Sequence, residues 1–136
     1  MTVYVFGNGN ISFDDFRTHY EEPVSRTLAS HPDAQFILCD FRGTDVLAME
    51  LLKSKTPNVT VLHVGERPRY FPDKFKTKAG EWKVIGGFAS DDERDTAASV
   101  QCTHFLAKDF NSDATRKSGT MKSIERCIAL GKVLLA

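Results

Sequence analysis

Apolar runs with strand-like alternation take turns along this chain with stretches whose apolar residues recur every three or four positions. Thr2 to Phe6 is a β-rich run that stops at the turn Gly7-Asn8-Gly9-Asn10. Ser12, with Asp15 three residues on, marks a helix start, and Phe13, Phe16, Tyr20, Val24 and Leu28 keep helical spacing. Pro23 interrupts that helix, so a kink or a second helix beginning near Glu22 is expected. Ala34 to Cys39 predicts a second strand, Val46 to Leu52 a helix, and Asn58 to Val64 a third strand. Gly65 to Ser90 is expected to be a long irregular connection, broken by Pro68, Pro72, Gly80, Gly86 and Gly87. Asp91 to Gln101 predicts a helix capped by Ser90 or Asp91. A fourth strand at Thr103 to Ala107 follows. Ser118-Gly119-Thr120 then opens a last amphipathic helix, Gly131 stops it, and a fifth strand runs from Val133 to Leu135.

Strands separated by helices imply a Rossmann-like three-layer α/β/α fold with a mostly parallel sheet of about five strands, here as a single domain over 1–136. In such sheets the loops leaving the C-terminal strand ends share one rim, and ligands bind there. Those loops are Gly7 to Ile11, Asp40 to Asp45, Gly65 onward and Asp109 to Thr120.

Composition narrows the function. The 18 Lys and Arg balance the 18 Asp and Glu, so the whole chain carries no general attraction for nucleic acid or an anionic membrane. No apolar run is long enough to span a bilayer, and no signal-peptide pattern opens the chain, which points to a cytoplasmic protein. Cys39, Cys102 and Cys127 lack metal-type spacing, and His19, His31 and His104 have no convergent partners. Neither a metal nor a cofactor is expected.

The rim holds the candidate chemistry. Gly7-Asn8-Gly9 stands where dinucleotide folds place a phosphate loop, without the full glycine spacing, and it can equally be a plain turn. Arg42-Gly43-Thr44-Asp45 offers an anion clamp, close approach and a helix cap, or simply a capping turn with a solvated arginine. Arg94 can face the same rim or pair with Asp91 or Glu93. Ser118-Gly119-Thr120 begins a helix whose unpaired amides attract anions. Phe71, Phe75 and Trp82 in the long connection can cover a base, bury a subunit contact or form local core.

With these turns placed, the chain resembles the SLOG superfamily of Rossmann-like domains, which bind nucleotide-derived ligands. Arg42-Gly43-Thr44-Asp45 looks like that family's Arg-Gly-x-Asp turn, Arg94-Asp95 like its Arg-Asn pair, and Ser118-Gly119-Thr120 like its closing Gly-Thr turn. The closing segment also resembles nucleoside deoxyribosyltransferases and nucleotide N-glycosidases, whose catalytic glutamate is here replaced by Ser123. Glu125 lies about 200° around the helix from that position and should not reach the same pocket.

The reading that results is a binder of a nucleotide, nucleotide-sugar or related phosphorylated small molecule. Its site would comprise Gly7, Asn8, Gly9, Arg42, Gly43, Asp45, Arg94, Ser118, Gly119 and Thr120. One alternative is an enzyme, hydrolase or transferase, acting on an N-glycosidic bond, with Asp40 or Asp45 as the catalytic candidates. A second is an interaction domain forming a homodimer or higher homo-oligomer.

Overall fold

The computed structural model describes residues 1–135. Its core is a six-stranded, all-parallel sheet: β1 (Thr2–Val5), β2 (Gln35–Leu38), β3 (Val59–Val64), β4 (Lys83–Phe88), β5 (His104–Leu106) and β6 (Val133–Leu134). The order across the sheet is β4-β3-β2-β1-β5-β6. The chain therefore builds outward from β1 to one edge, then returns to the other side of β1 to place β5 and β6. The expected Rossmann-like α/β class is what the structure has.

Alternation along each strand separates two apolar layers. Val3 and Val5 face a layer with Phe36, Leu38, Val59 and Val61, packed against Phe16, Tyr20, Val24, Met49 and Leu52. Tyr4 and Phe6 face the opposite layer, with Ile37, Cys39 and Leu62, packed against Ala98, Cys102 and Cys127. The first layer is covered by α1 (Phe13–Phe16), α2 (Glu22–Ser30) and α3 (Thr44–Leu52), the second by α4 (Asp91–Gln101) and α5 (Gly119–Ala129). Among the described residues no helix is long and apolar enough to cross a membrane.

Two expectations are sharpened. A second helix does begin at Glu22, next to Pro23, as the sequence leads one to expect. A π-helical turn, Arg17–Glu21, joins α1 to α2, and the residues flanking it, Phe16 and Glu22, keep right-handed helical dihedrals. A proline has no N–H for the usual i−4 carbonyl, and widening the preceding turn accommodates that loss. The long connection is also shorter than expected, because β4 lies inside it. Gly86 and Gly87 hid this strand, whose position at the sheet edge needs neither continuous burial nor strong β propensity. The remaining connection does the work of a crossover helix between β3 and β4. Its Ala79 and Trp82 are buried in the first layer, and Trp82 Nε1 donates to the Thr56 carbonyl at 2.9 Å.

Candidate functional site

Strand order reverses at β1, so a crevice opens where the loops after β1 and β5 part. A cavity of about 680 Å³ occupies this place. Its wall includes nine of the ten residues expected there from sequence, namely Gly7, Asn8, Gly9, Arg42, Asp45, Arg94, Ser118, Gly119 and Thr120. Gly43 stands outside it. With φ at +76°, a Cβ there would come within 2.6 Å of the Asn8 carbonyl oxygen, so this glycine docks one loop against the other. Thr44 completes the docking, donating from N at 3.2 Å and from Oγ1 at 2.9 Å to that same carbonyl.

Several of the polar groups on the wall serve the wall itself. Asn8 Nδ2 donates to Asp109 Oδ1 at 2.9 Å and to Thr120 Oγ1 at 3.2 Å, while Asn8 Oδ1 accepts from the Phe110 amide at 2.8 Å. Ser118 Oγ donates to Asp109 Oδ1 at 2.7 Å and accepts from the Met121 amide, capping α5. Asp109 is the hub of this network. Partial burial alone would raise its pKa, but hydrogen bonds from Ser112, Asn8, Ser118 and the Asn111 amide lower it to about 2.

Arg94 is no free anion clamp. Buried to 3% exposure, it meets Asp40 at 2.8 Å, Asp91 at 3.0 Å and Asp95 at 2.9 Å. Asp40, a catalytic candidate from sequence, is likewise consumed. Its carboxylate is fully buried, receives Arg94 and the Arg69 amide at 2.9 Å, and does not line the cavity. Asp45, the other candidate, is different. Its Oδ2 accepts from the Phe41 amide at 3.0 Å, while its Oδ1 is buried without a hydrogen-bond partner. Burial raises its pKa to about 7, opposed by the Phe41 amide and the Arg94 charge and reinforced by Asp95 and Asp40.

The mouth carries a different chemistry. Arg42 is exposed, its guanidinium 4.6 Å from the centroid of the Phe41 ring, and Arg69 covers the same ring at 5.6 Å. Arg116 and the exposed Phe110 stand across the opening, on the loop after β5. Neither Arg42 nor Arg116 forms an ion pair among the described residues, although, behind the hydrogen bonds from Thr115, the Arg116 charge helps to lower the pKa of nearby Asp113. At the start of α5 the amides of Gly119 and Thr120 have no intrahelical carbonyl to donate to, the first such bond running from the Lys122 amide to the Ser118 carbonyl, so they stand on the cavity wall as open donors. Ser123 is on the wall, whereas Glu125 is exposed and paired with Lys117 at 2.7 Å, as its place on the helix requires.

Sequence reasoning did not single out Phe41, Phe110, Arg116 or Asp109. Phe41 directly precedes Arg42, and Asp109-Phe110-Asn111-Ser112 is an Asx-type turn leaving a strand end, so both signals were present but unspecific.

No protein-family model matches the sequence, and no curated protein does. In fold, 98% of the chain matches the structure of DNA processing protein A from Helicobacter pylori, described as having a unique single-stranded DNA binding mode, with a TM-score of 0.69. The two are 15% identical, and the chain spans 63% of the length of that structure. A likeness at this identity concerns the fold. It nevertheless overturns two expectations, a nucleotide-type small ligand and the lack of a nucleic-acid signal, because the solved neighbour binds a polymer. Whole-chain neutrality says little about the rim. It averages the unpaired arginines at the mouth with acids such as Asp91 and Asp95, which are bonded to Arg94.

Proposed function

We propose that this domain binds single-stranded nucleic acid across the mouth of the cavity at the β1/β5 switch point. The observation that carries the reading is that the mouth brings together two guanidiniums free of ion pairs, Arg42 and Arg116, and two aromatic rings, Phe41 and the exposed Phe110. Cations neutralise backbone phosphates, and aromatic faces stack unpaired bases of any identity. The single-stranded DNA binding of the fold neighbour supports it.

Gly119 adds a second support. It has no positive φ, and a Cβ added there would meet nothing within 4 Å. The fold does not require glycine at this point, whereas a strand lying against the open amides of α5 does. Membership of the SLOG superfamily and a cytoplasmic setting belong to the same proposal. They rest on the Arg42-Gly43-Thr44-Asp45 and Ser118-Gly119-Thr120 turns and on three buried free thiols.

Fluorescence anisotropy with a labelled oligothymidylate, titrated at several salt concentrations, tests this. Arg42→Ala should weaken binding about 5-fold or more and lower the salt slope by about 0.7, the share of one phosphate contact on a single strand. Gly119→Ala should weaken binding while leaving the melting temperature unchanged or slightly raised. Equal affinity for wild type and both variants, or no binding by wild type, would falsify the assignment.

A further inference from the structure

The end of the sheet opposite the cavity carries a second basic and aromatic surface. Parallel strands all begin at this end, so the C-terminus of α3, the descending connection and the start of β4 meet here. These segments carry Lys53, Lys55, Lys74, Lys76, Lys78 and Lys83, and the Lys78 amide meets the Lys53 carbonyl. Lys53 is tied to Glu50 at 2.7 Å, but Lys74, Lys76 and Lys78 have no carboxylate partner among the described residues. In their midst Phe75 is 75% exposed, the most exposed large apolar side chain of the protein's described part.

The loop holding this ring outward is built rather than loose. Asp73 Oδ1 accepts from the Phe75 amide at 2.9 Å, and the Asp73 carbonyl accepts from Thr77 Oγ1 at 2.8 Å. Thr77 Oγ1 in turn accepts from the Ala79 amide, and the Lys78 amide donates to the Lys53 carbonyl at 2.6 Å, fastening the loop to the end of α3. Lys76 has φ at +56°, a conformation uncommon for a residue with a side chain. Lys76 Nζ lies 5.5 Å from the Phe75 ring centroid, and Lys74 Nζ lies 5.2 Å from that of Phe71. A hydrophobic ring held in water, with the Lys76 ammonium beside it and the lysines of the same loop near by, suits a partner with both π-faces and negative charge. Unpaired bases on a phosphodiester backbone have both, whereas in a duplex the bases are stacked away from such a ring.

We infer that the Phe75 loop, with Lys74, Lys76 and Lys78, is a second contact surface for the same single strand. The inference rests on the proposed function for the nature of the partner, but on different residues. A long strand engages both ends of the domain, and a short one engages the cavity mouth alone. The gain with length then comes from effective concentration.

Binding of oligothymidylates of about 6 and about 30 nucleotides, bracketing common site sizes of ~4–16 nucleotides, separates the two surfaces. The variants are Phe75→Ala and the triple Lys74→Gln, Lys76→Gln, Lys78→Gln. All four side chains are exposed, so unchanged melting temperatures are expected. In wild type the long strand should bind about 10-fold or more tighter than the short one. Both variants should remove that advantage, leave the short strand's affinity as it was, and in the triple variant cut the long strand's salt slope by about 2. A length advantage that survives both variants overturns the inference while leaving the cavity mouth as a site. Equal binding of duplex DNA or anionic vesicles at Phe75 overturns it in favour of a general polyanion surface. Loss on Phe75→Ala with none on Arg42→Ala retains this surface and removes the proposed site instead.

Discussion

The buried carboxyl of Asp45 gives the cavity wall a pH response. Its folded pKa is about 7, against an ordinary value of 3.8. Below about pH 4 the group is protonated whether the chain is folded or unfolded. Between about 4 and 7 only the folded form keeps the proton, so stability falls as pH rises through that window and levels off above it. The shift corresponds to a loss on the order of 4 kcal/mol. Asp109 acts in the opposite sense. With its folded pKa lowered to about 2, its contribution is present above about pH 4 and is lost as pH falls toward 2. Chemical denaturation across pH 3 to 8 should therefore show a maximum near pH 4–5. Asp45→Asn should flatten the decline between pH 5 and 7, and an unaltered slope in that variant would mean another group is responsible.

At the scale of elements, the start of α5 joins folding to function. Ser118 caps the helix through the Met121 amide and, by its own proton, ties the helix to Asp109 on the loop after β5. The cap leaves the Gly119 and Thr120 amides open because its oxygen is spent one residue further along. Ser118→Ala loses both bonds and should cost about 1–2 kcal/mol, read as a lower denaturation midpoint with an unchanged m-value. The long connection shows the converse. Lacking a helix of its own, it is anchored at Trp82 and Ala79, so its exposed Phe75 loop can change without disturbing the core.

Across the whole molecule, the parallel sheet sets two charged and aromatic surfaces apart, at the mouth by β1 and β5 and at the opposite end by α3 and β4. Side chains at opposite ends of a sheet share no partners, so the affinity losses of Arg42→Ala and Phe75→Ala on a long strand should add in log Kd, to within about 0.5 kcal/mol. A strongly non-additive double variant would point to one continuous site. The sequence by itself determined the alternating α/β class, most of the element positions and the convergence of four loops on one rim. Local periodicity and turn chemistry depend on near neighbours in the chain, so they could be read directly. It also placed Ser123 on the cavity side and Glu125 away from it, since helical pitch is a local property. Only the tertiary structure decided what each rim residue has left to offer. Asp40 and Asn8 looked available in the sequence, but they bond to Arg94 and Asp109, 54 and 101 residues away, while Arg94 adds that distant bond to the local pairing with Asp91 that the sequence allowed. Arg42 and Arg116 form no ion pair among the described residues, and Phe75 stays exposed to water. Pairing across the fold, which no local pattern encodes, separates the residues that hold the cavity together from those left to meet a partner.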